Sequence, residues 1–251
     1  MAELDDPPLL VATDMLLWLR DYGKQNPNDL PAKFVNYCAV NFQQSHSQLF
    51  QDLLVVFFLS GKRNGYFVEF GATDGVSLSN TVVLERQLEW KGILAEPAKV
   101  WHAALRANRR AAIDPRLVWS KSGDQLEFKE TKVAELSTLS SLADKDGHKQ
   151  KRTEGTCYMV DTVSLNDLLD AHKAPREIDY MSVDTEGSEF EILRSFDFDR
   201  YTIKIMTVEH NYCEPARQDI FNLLQSKGLV RLFEPLSKFD DWYVSRSVLG
   251  L

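Results

Sequence analysis

Apolar residues in this chain fall into short runs that end abruptly in polar ones. Residues 66–70 (Tyr-Phe-Val-Glu-Phe), 92–95 (Gly-Ile-Leu-Ala), 178–183 (Ile-Asp-Tyr-Met-Ser-Val) and 203–208 (Ile-Lys-Ile-Met-Thr-Val) are aromatic or β-branched enough to be buried strands. Helices are expected between them: from about Ser79, from Pro97 through about Asn108, and after Gly187. Alternation of this kind, from residue 65 to about 228, predicts an α/β fold with a mostly parallel sheet and helices on both faces. Ahead of it lies a helical region ending near Gly61, whose apolar run at residues 53–59 is far shorter than the ~20 residues of a spanning helix and should be a buried helix packing on the sheet. At the other end, residues 229–234 and 242–246 flank the turn-like Pro235-Leu236-Ser237-Lys238, a closing hairpin with an antiparallel last strand. The division expected is a helical extension at 1–61 and a core domain at 62–251. Residues 133–155 are polar, strandless and longer than an ordinary connection, so they read as a lid or surface loop in which Ser137, Ser140 and Ser141 are candidate substrate contacts.

Chemistry gathers at the strand ends. After the first strand comes Glu69-Phe70-Gly71-Ala72-Thr73-Asp74-Gly75, an acid followed by glycines four apart, which let the backbone turn tightly and approach a ligand. Gly-x-Gly-x-x-Gly spacing is missing, which disfavours NAD, and no lysine follows Gly75 as in a P-loop, which disfavours ATP. What remains is the acid-x-Gly-x-(Gly)-x-Gly pattern of Rossmann-like S-adenosylmethionine (SAM) methyltransferases, with Thr73 standing where a middle glycine often occurs. The second strand ends in Glu96-Pro97, at the ~20-residue spacing of a ribose-binding acid, and Pro97 suits a first helical turn. The third strand runs into Asp184-Thr185-Glu186-Gly187-Ser188-Glu189, three carboxylates at one end. The fourth ends in Glu209-His210-Asn211-Tyr212, which shares that edge if the two strands are parallel neighbours.

Composition narrows the partners. A net charge of −8 argues against a protein built to hold nucleic-acid phosphates, and Arg106, Arg109 and Arg110 read as a solvated helix face. A second basic run, Lys145 to Arg152, falls in the polar segment. Three cysteines, 38, 157 and 213, make neither a zinc pattern nor a disulfide framework and fit a reducing cytoplasm. The acidic start, with Glu3, Asp5 and Asp6, does not read as a secretory signal. Trp18, Phe34, Tyr37 and Phe42 in the N-terminal helices either cap the acceptor side or make a homodimer contact.

Taken together, Gln48-x-x-Gln51-Asp52, Gly65 to Gly75, Ser79-Asn80-Thr81, Trp90-Lys91-Gly92, Glu96-Pro97 and Asp184-x-Glu186-Gly187-x-Glu189 resemble the FkbM family of SAM-dependent methyltransferases, over roughly residues 45–235. Ser164 to Leu169 resembles the family's strand-to-helix step, with Asn166 where an aspartate is usual. The resemblance implies a class I methyltransferase sheet of seven strands, mostly parallel, and O-methylation of hydroxyls, often on sugars or sugar-derived metabolites. It also implies roles. Glu69, Gly71, Ala72, Asp74 and Gly75 would line the methionine end of SAM, with Ser79 and Asn80 near its carboxylate. Glu96, beside Pro97, would take the ribose, and Ser120 and Lys121 would meet the adenine. Asp184 would close the site beside the sulfonium, with Glu186 and His210 nearest a small-molecule or glycan acceptor.

A sulfonium already activates its methyl, so such a site mainly aligns the reactants and removes a proton from the incoming hydroxyl. His210 is the first candidate base, because histidine is most easily tuned to neutral pH. A crowded carboxylate among Asp184, Glu186 and Glu189 is the alternative. Clustered acids also suit Mg2+, with Asp184, Glu186 and Glu209 as candidate ligands. Two other readings keep the same sheet: an inactive interaction protein, and an NAD- or nucleotide-dependent enzyme.

Overall fold

The structure, a computed structural model, describes residues 7–134, 137–140 and 154–251. Ser141, the run from Lys145 to Arg152 and the acidic start lie outside them. The chain opens with helices α1 (Pro7–Gln25), α2 (Leu30–Asn41) and α3 (Gln51–Phe58). Asp29 starts α2 by accepting the Ala32 N–H at 3.0 Å, and Pro31 sits in its first turn, where no N–H is needed. There follow β1 (Tyr66–Phe70), α4 (Val82–Leu88), β2 (Lys91–Ala95), α5 (His102–Asn108), β3 (Ala112–Asp114), β4 (Leu117–Trp119), β5 (Gln125–Thr131), β6 (Thr138–Leu139) and β7 (Gly155–Ser164). The remainder is α6 (Leu165–Ala171), β8 (Glu177–Val183), α7 (Glu189–Arg194), β9 (Thr202–Glu209), α8 (Glu214–Ser226), β10 (Leu229–Leu232), α9 (Glu234–Ser237), β11 (Asp240–Ser245) and α10 (Arg246–Leu249).

Seven strands form the main sheet in the order β10-β11-β9-β8-β1-β2-β3. Pairing is parallel from β9 through β3, and β11 inserts between β9 and β10 antiparallel to both. Side chains alternate across the central strands as a period of two requires. Val68, Phe70, Ile93, Ala95, Met181, Val183, Met206 and Val208 share one core layer with α6, α7 and α8. Phe67, Leu94, Tyr180 and Ile205 point the other way, against Leu53, Leu54 and Val55 of α3. Both faces are covered, so these strands read as nearly continuous apolar runs. Phe34 of α2 joins the second layer, stacked on Phe233 at 5.1 Å and edge-on to Trp242 at 5.8 Å, whereas Trp18 and Phe42 are exposed.

Two expectations are corrected, and one feature is added to the predicted fold. A second sheet, β4-β7-β5-β6, stands beside the main one around Leu117, Phe128, Leu139 and Val160. No apolar run announces it, since three of the seven residues of β5 (Gln-Leu-Glu-Phe-Lys-Glu-Thr) are charged and β6 is two residues long. Residues 133–155 are therefore not strandless: Thr138–Leu139 pairs with β5, and β7 begins at Gly155. Finally, Pro97 does not open the helix after β2; a 3-10 turn at Lys99–Trp101 intervenes, and α5 begins at His102. No helix among the described residues is long and apolar enough to cross a membrane.

Candidate active site

β1 is the point where chain order reverses, with β2 on one side and β8 on the other, and ligands bind open parallel sheets at such a switch, beyond the strands' C-terminal ends. A cavity opens there, walled by the loops after β1, β2, β8 and β9. Glu69, Gly71, Ala72, Ser79, Asn80, Glu96, Pro97, Asp184, Glu186 and Glu209 of the sequence-derived set all line it.

The loop after β1 is built by buried polar contacts. Glu69 accepts the Asn80 N–H at 2.8 Å and the Thr81 hydroxyl at 2.5 Å, tying the strand to the start of α4. Arg109, just beyond α5, clamps the same region: it donates to Glu85 at 3.0 Å, to the Gly75 carbonyl at 3.0 Å, to Ser79 at 3.1 Å and to Thr81 at 2.8 Å, with Glu69 at 3.7 Å. Its side chain is fully buried, which corrects its assignment to a solvated face; Arg106 does face solvent. Glu69 thus braces the loop while lining the cavity.

Gly71 has φ +71°, and a Cβ there would lie 2.3 Å from the Asp184 carbonyl oxygen, so only glycine allows the first loop to approach the third strand's end. Thr73 adopts φ +48°, the left-handed conformation that a middle glycine would take freely, and its N–H is held by Glu96 at 2.8 Å. The side chain departs from the pattern while the backbone keeps it. Strain of this kind costs about 1–3 kcal/mol in a non-glycine residue. Thr73→Gly is therefore expected to melt no lower than the parent by scanning calorimetry. Gly71→Ala should lose about 2 kcal/mol or more, since its Cβ meets backbone that cannot swing aside.

Glu96 spans the second loop, one oxygen on the Thr73 N–H and the other on the Ala98 N–H at 2.7 Å. Each oxygen keeps a lone pair for a ligand hydroxyl. Burial pushes its pKa up to about 7, the two backbone donors pulling the other way and Asp184 and Glu130 adding repulsion. Asn80 donates to Ser182 at 2.9 Å, and its Oδ1, also buried, has no hydrogen-bond partner among the described residues.

Acids crowd the opposite side. Asp184 directly follows β8, enclosed by protein yet open to the cavity; burial pushes its pKa up to about 6, opposed by a hydrogen bond with Glu209 and reinforced by Glu189 and Glu69. Glu209 is raised well above the ordinary range by burial and then by Asp184, Glu186 and Glu189. Glu186 sits at φ +58° in the next loop, where Asn211 donates to it at 3.3 Å and Thr138 donates to its carbonyl at 2.9 Å. Glu189 is turned away from these and secures the loop, accepting from the N–H groups of Thr185 at 2.9 Å and Gly187 at 3.0 Å. At the sheet's other edge, burial also pushes Asp179 up, but Lys62 at 2.6 Å and Lys204 at 2.9 Å outweigh it and hold its carboxyl below the ordinary range. Among the described residues lining the cavity there is no lysine, arginine or histidine.

Several sequence-derived residues stand elsewhere. Asp74 turns back to accept the Val76 and Ser77 N–H groups, each at 2.8 Å, and Gly75 at φ +79° rests against Leu105 and Arg109. Neither lines the cavity, nor do Ser120 and Lys121; Lys121 is exposed and pairs with Asp124 at 3.0 Å, while Leu117, Val118 and Phe128 form that wall. His210 is buried outside the lining: its Nδ1 accepts the Tyr212 N–H at 3.0 Å, its Nε2 lies 3.9 Å from Asp241, and burial lowers its pKa. Ser137 does reach the cavity.

The cavity also takes in residues that the sequence left aside. Asp240 stands opposite Glu209 because β11 starts where β9 ends; burial and then Asp184 push its pKa up to about 7, and Gln51 donates to it at 2.7 Å. An adjacent acid pair, Asp240-Asp241, ahead of the apolar Trp-Tyr-Val was the available signal. Gln48 and Gln51 are the contribution of the N-terminal region to the lining; Trp18, Phe34, Tyr37 and Phe42 are not part of it.

Among solved structures, the chain is similar to an O-methyltransferase from Bacillus cereus in complex with SAH, at 10% identity and a TM-score of 0.43 over 89% of this chain and 94% of that one. It is also similar to precorrin-6y C5,15-methyltransferase from Geobacter metallireducens GS-15, at 9% identity and a TM-score of 0.37 over 72% and 71%. No curated protein matches the chain. The model of the methyltransferase FkbM domain matches residues 69–238, from the first cavity acid to the loop that precedes Asp240, and the chain belongs to the FkbM methyltransferase family.

Proposed function

We propose that the cavity binds SAM and that the protein transfers its methyl group to a hydroxyl of a small polyhydroxylated acceptor, such as a sugar, a glycan end or a glycosylated metabolite. The observation that carries this reading is the pair of buried acceptors with capacity to spare, Asn80 Oδ1 and Glu96, on either side of the Gly71 turn. Asn80 suits the ammonium of a methionine moiety, and Glu96 suits two vicinal ribose hydroxyls. The apolar wall of Leu117, Val118 and Phe128 suits a flat base in place of Ser120 and Lys121.

When bound, SAM supplies a methyl on positive sulfur, ready for in-line displacement. The chain's own groups do the rest. Asp184 lies against Gly71 and provides negative charge where the sulfonium belongs, and the acids beyond it receive the acceptor. A carboxylate of the cavity would take up the proton that the acceptor hydroxyl releases on accepting the methyl. His210 is assigned no part in that transfer, since its ring is outside the lining. Three free thiols, among them exposed Cys157 and Cys213, fit a reducing compartment such as the cytoplasm.

Calorimetric titration with SAM, its demethylated product, NAD and ATP tests the assignment. Binding of the first two alone is the expected result; no heat from either at millimolar concentration would overturn it. Glu96→Gln should weaken SAM about tenfold or more, because the amide presents one acceptor where the carboxylate presents two. Labelled methyl transfer to a panel of sugars and nucleotide sugars then identifies the acceptor.

A further inference from the structure

Asp184 and Glu186 stand in the loop between β8 and α7 and Glu209 at the end of β9, and one oxygen from each lies within 4.8 Å of the other two. Glu209 is only 8% exposed, it lines the cavity, and its Oε2 has no hydrogen-bond partner among the described residues. A buried carboxylate oxygen left without a donor is costly unless a proton or a cation meets it. The described lining offers no cationic side chain. Three carboxylates without nitrogen or sulfur donors select a hard divalent cation.

We propose that Asp184, Glu186 and Glu209 form a binding site for a hard divalent cation of the Mg2+ class, which presents two neighbouring oxygens of the acceptor to the methyl donor. Occupation of the cation's open positions by those oxygens lowers the pKa of the reacting hydroxyl and fixes its direction of approach. Selectivity for acceptors with adjacent hydroxyl or carbonyl oxygens follows, since a lone hydroxyl would fill only one position. The acceptor half of this inference rests on the methyltransferase reading; the cation half does not.

The test uses chelator-treated full-length protein titrated with Mn2+, followed by the loss of the free-ion paramagnetic resonance signal, with Mg2+ as competitor. One strong site is expected, weakened at least about tenfold in Asp184→Asn and in Glu209→Gln. Circular dichroism and binding of the demethylated SAM product, measured on the same samples, report whether each variant is folded. A folded wild type that takes up no Mn2+ at about 10 mM overturns the inference. So do folded variants that bind Mn2+ as well as the parent. Uptake of the SAM product without Mn2+ sinks the cation site alone; Mn2+ at the cluster without uptake of the SAM product sinks the methyltransferase reading, and the acceptor half with it, and leaves the cation site standing.

Discussion

Arg109→Met is expected to destabilise the protein by about 3–5 kcal/mol, the cost of removing one partner from a buried charge network. The guanidinium is fully buried and donates to Glu85, Ser79, Thr81 and the Gly75 carbonyl, with Glu69 at 3.7 Å. Methionine fills a similar volume but leaves Glu85 with a buried oxygen facing no donor and takes the brace off Gly75. Lysine is no substitute, because a point charge cannot reach four acceptors in a plane. Arg106→Met, three residues earlier and exposed, should stay within about 0.5 kcal/mol. Urea denaturation of the two variants provides the comparison. Hydrogen exchange at residues 71–81 should rise in the Arg109 variant, with SAM affinity falling in parallel; equal stability of both variants would show that Arg109 is not the clamp.

The ligand-free protein should melt higher at pH 5 than at pH 8. Burial first, and neighbouring acids second, push Glu96 and Asp240 to about 7, from ordinary values near 4. Between those limits the folded state holds protons that the unfolded state has released, so stability falls as pH rises through the window. The contribution is fully present below pH 4 and lost above pH 7, on the order of 3 kcal/mol for each group. Asp184, Glu189 and Glu209 shift in the same direction. Scanning calorimetry from pH 5 to pH 8 in chelating buffer measures the slope. Asp240→Asn, which cannot ionise, should flatten it and raise the melting temperature at pH 8. A melting temperature that climbs over this range would contradict the burial of these acids as ionisable groups.

Both expectations come from positions whose importance the sequence showed unevenly. Glu69, Gly71, Glu96 and Asp184 were legible because each follows an apolar run directly, and a strand's last residues must emerge at a sheet edge whatever the rest of the fold does. Arg109 was misread: three arginines in five residues look like a wet helix face, and only the passage of the chain beneath the first loop turns one of them inward. His210 follows Glu209 in the chain, but a residue one step beyond a strand end can face either way, and its ring turned toward Asp241.

What the sequence by itself determined was the alternating frame, the parallel strands and the set of acids at their ends, since these depend on hydrophobic period and local turn chemistry. Tertiary structure decided which of those acids share a cavity. Gly71 meets Asp184 because β1 and β8 are neighbours across the switch point, and Asp240 meets Glu209 because β11 runs antiparallel to β9 and begins where β9 ends. The second sheet, too, was decided by tertiary contact, because β5 and β7 pair across residues 132–154 and bury little that a local pattern reveals. Proximity between segments distant in the chain is a property of sheet order, which no local period encodes.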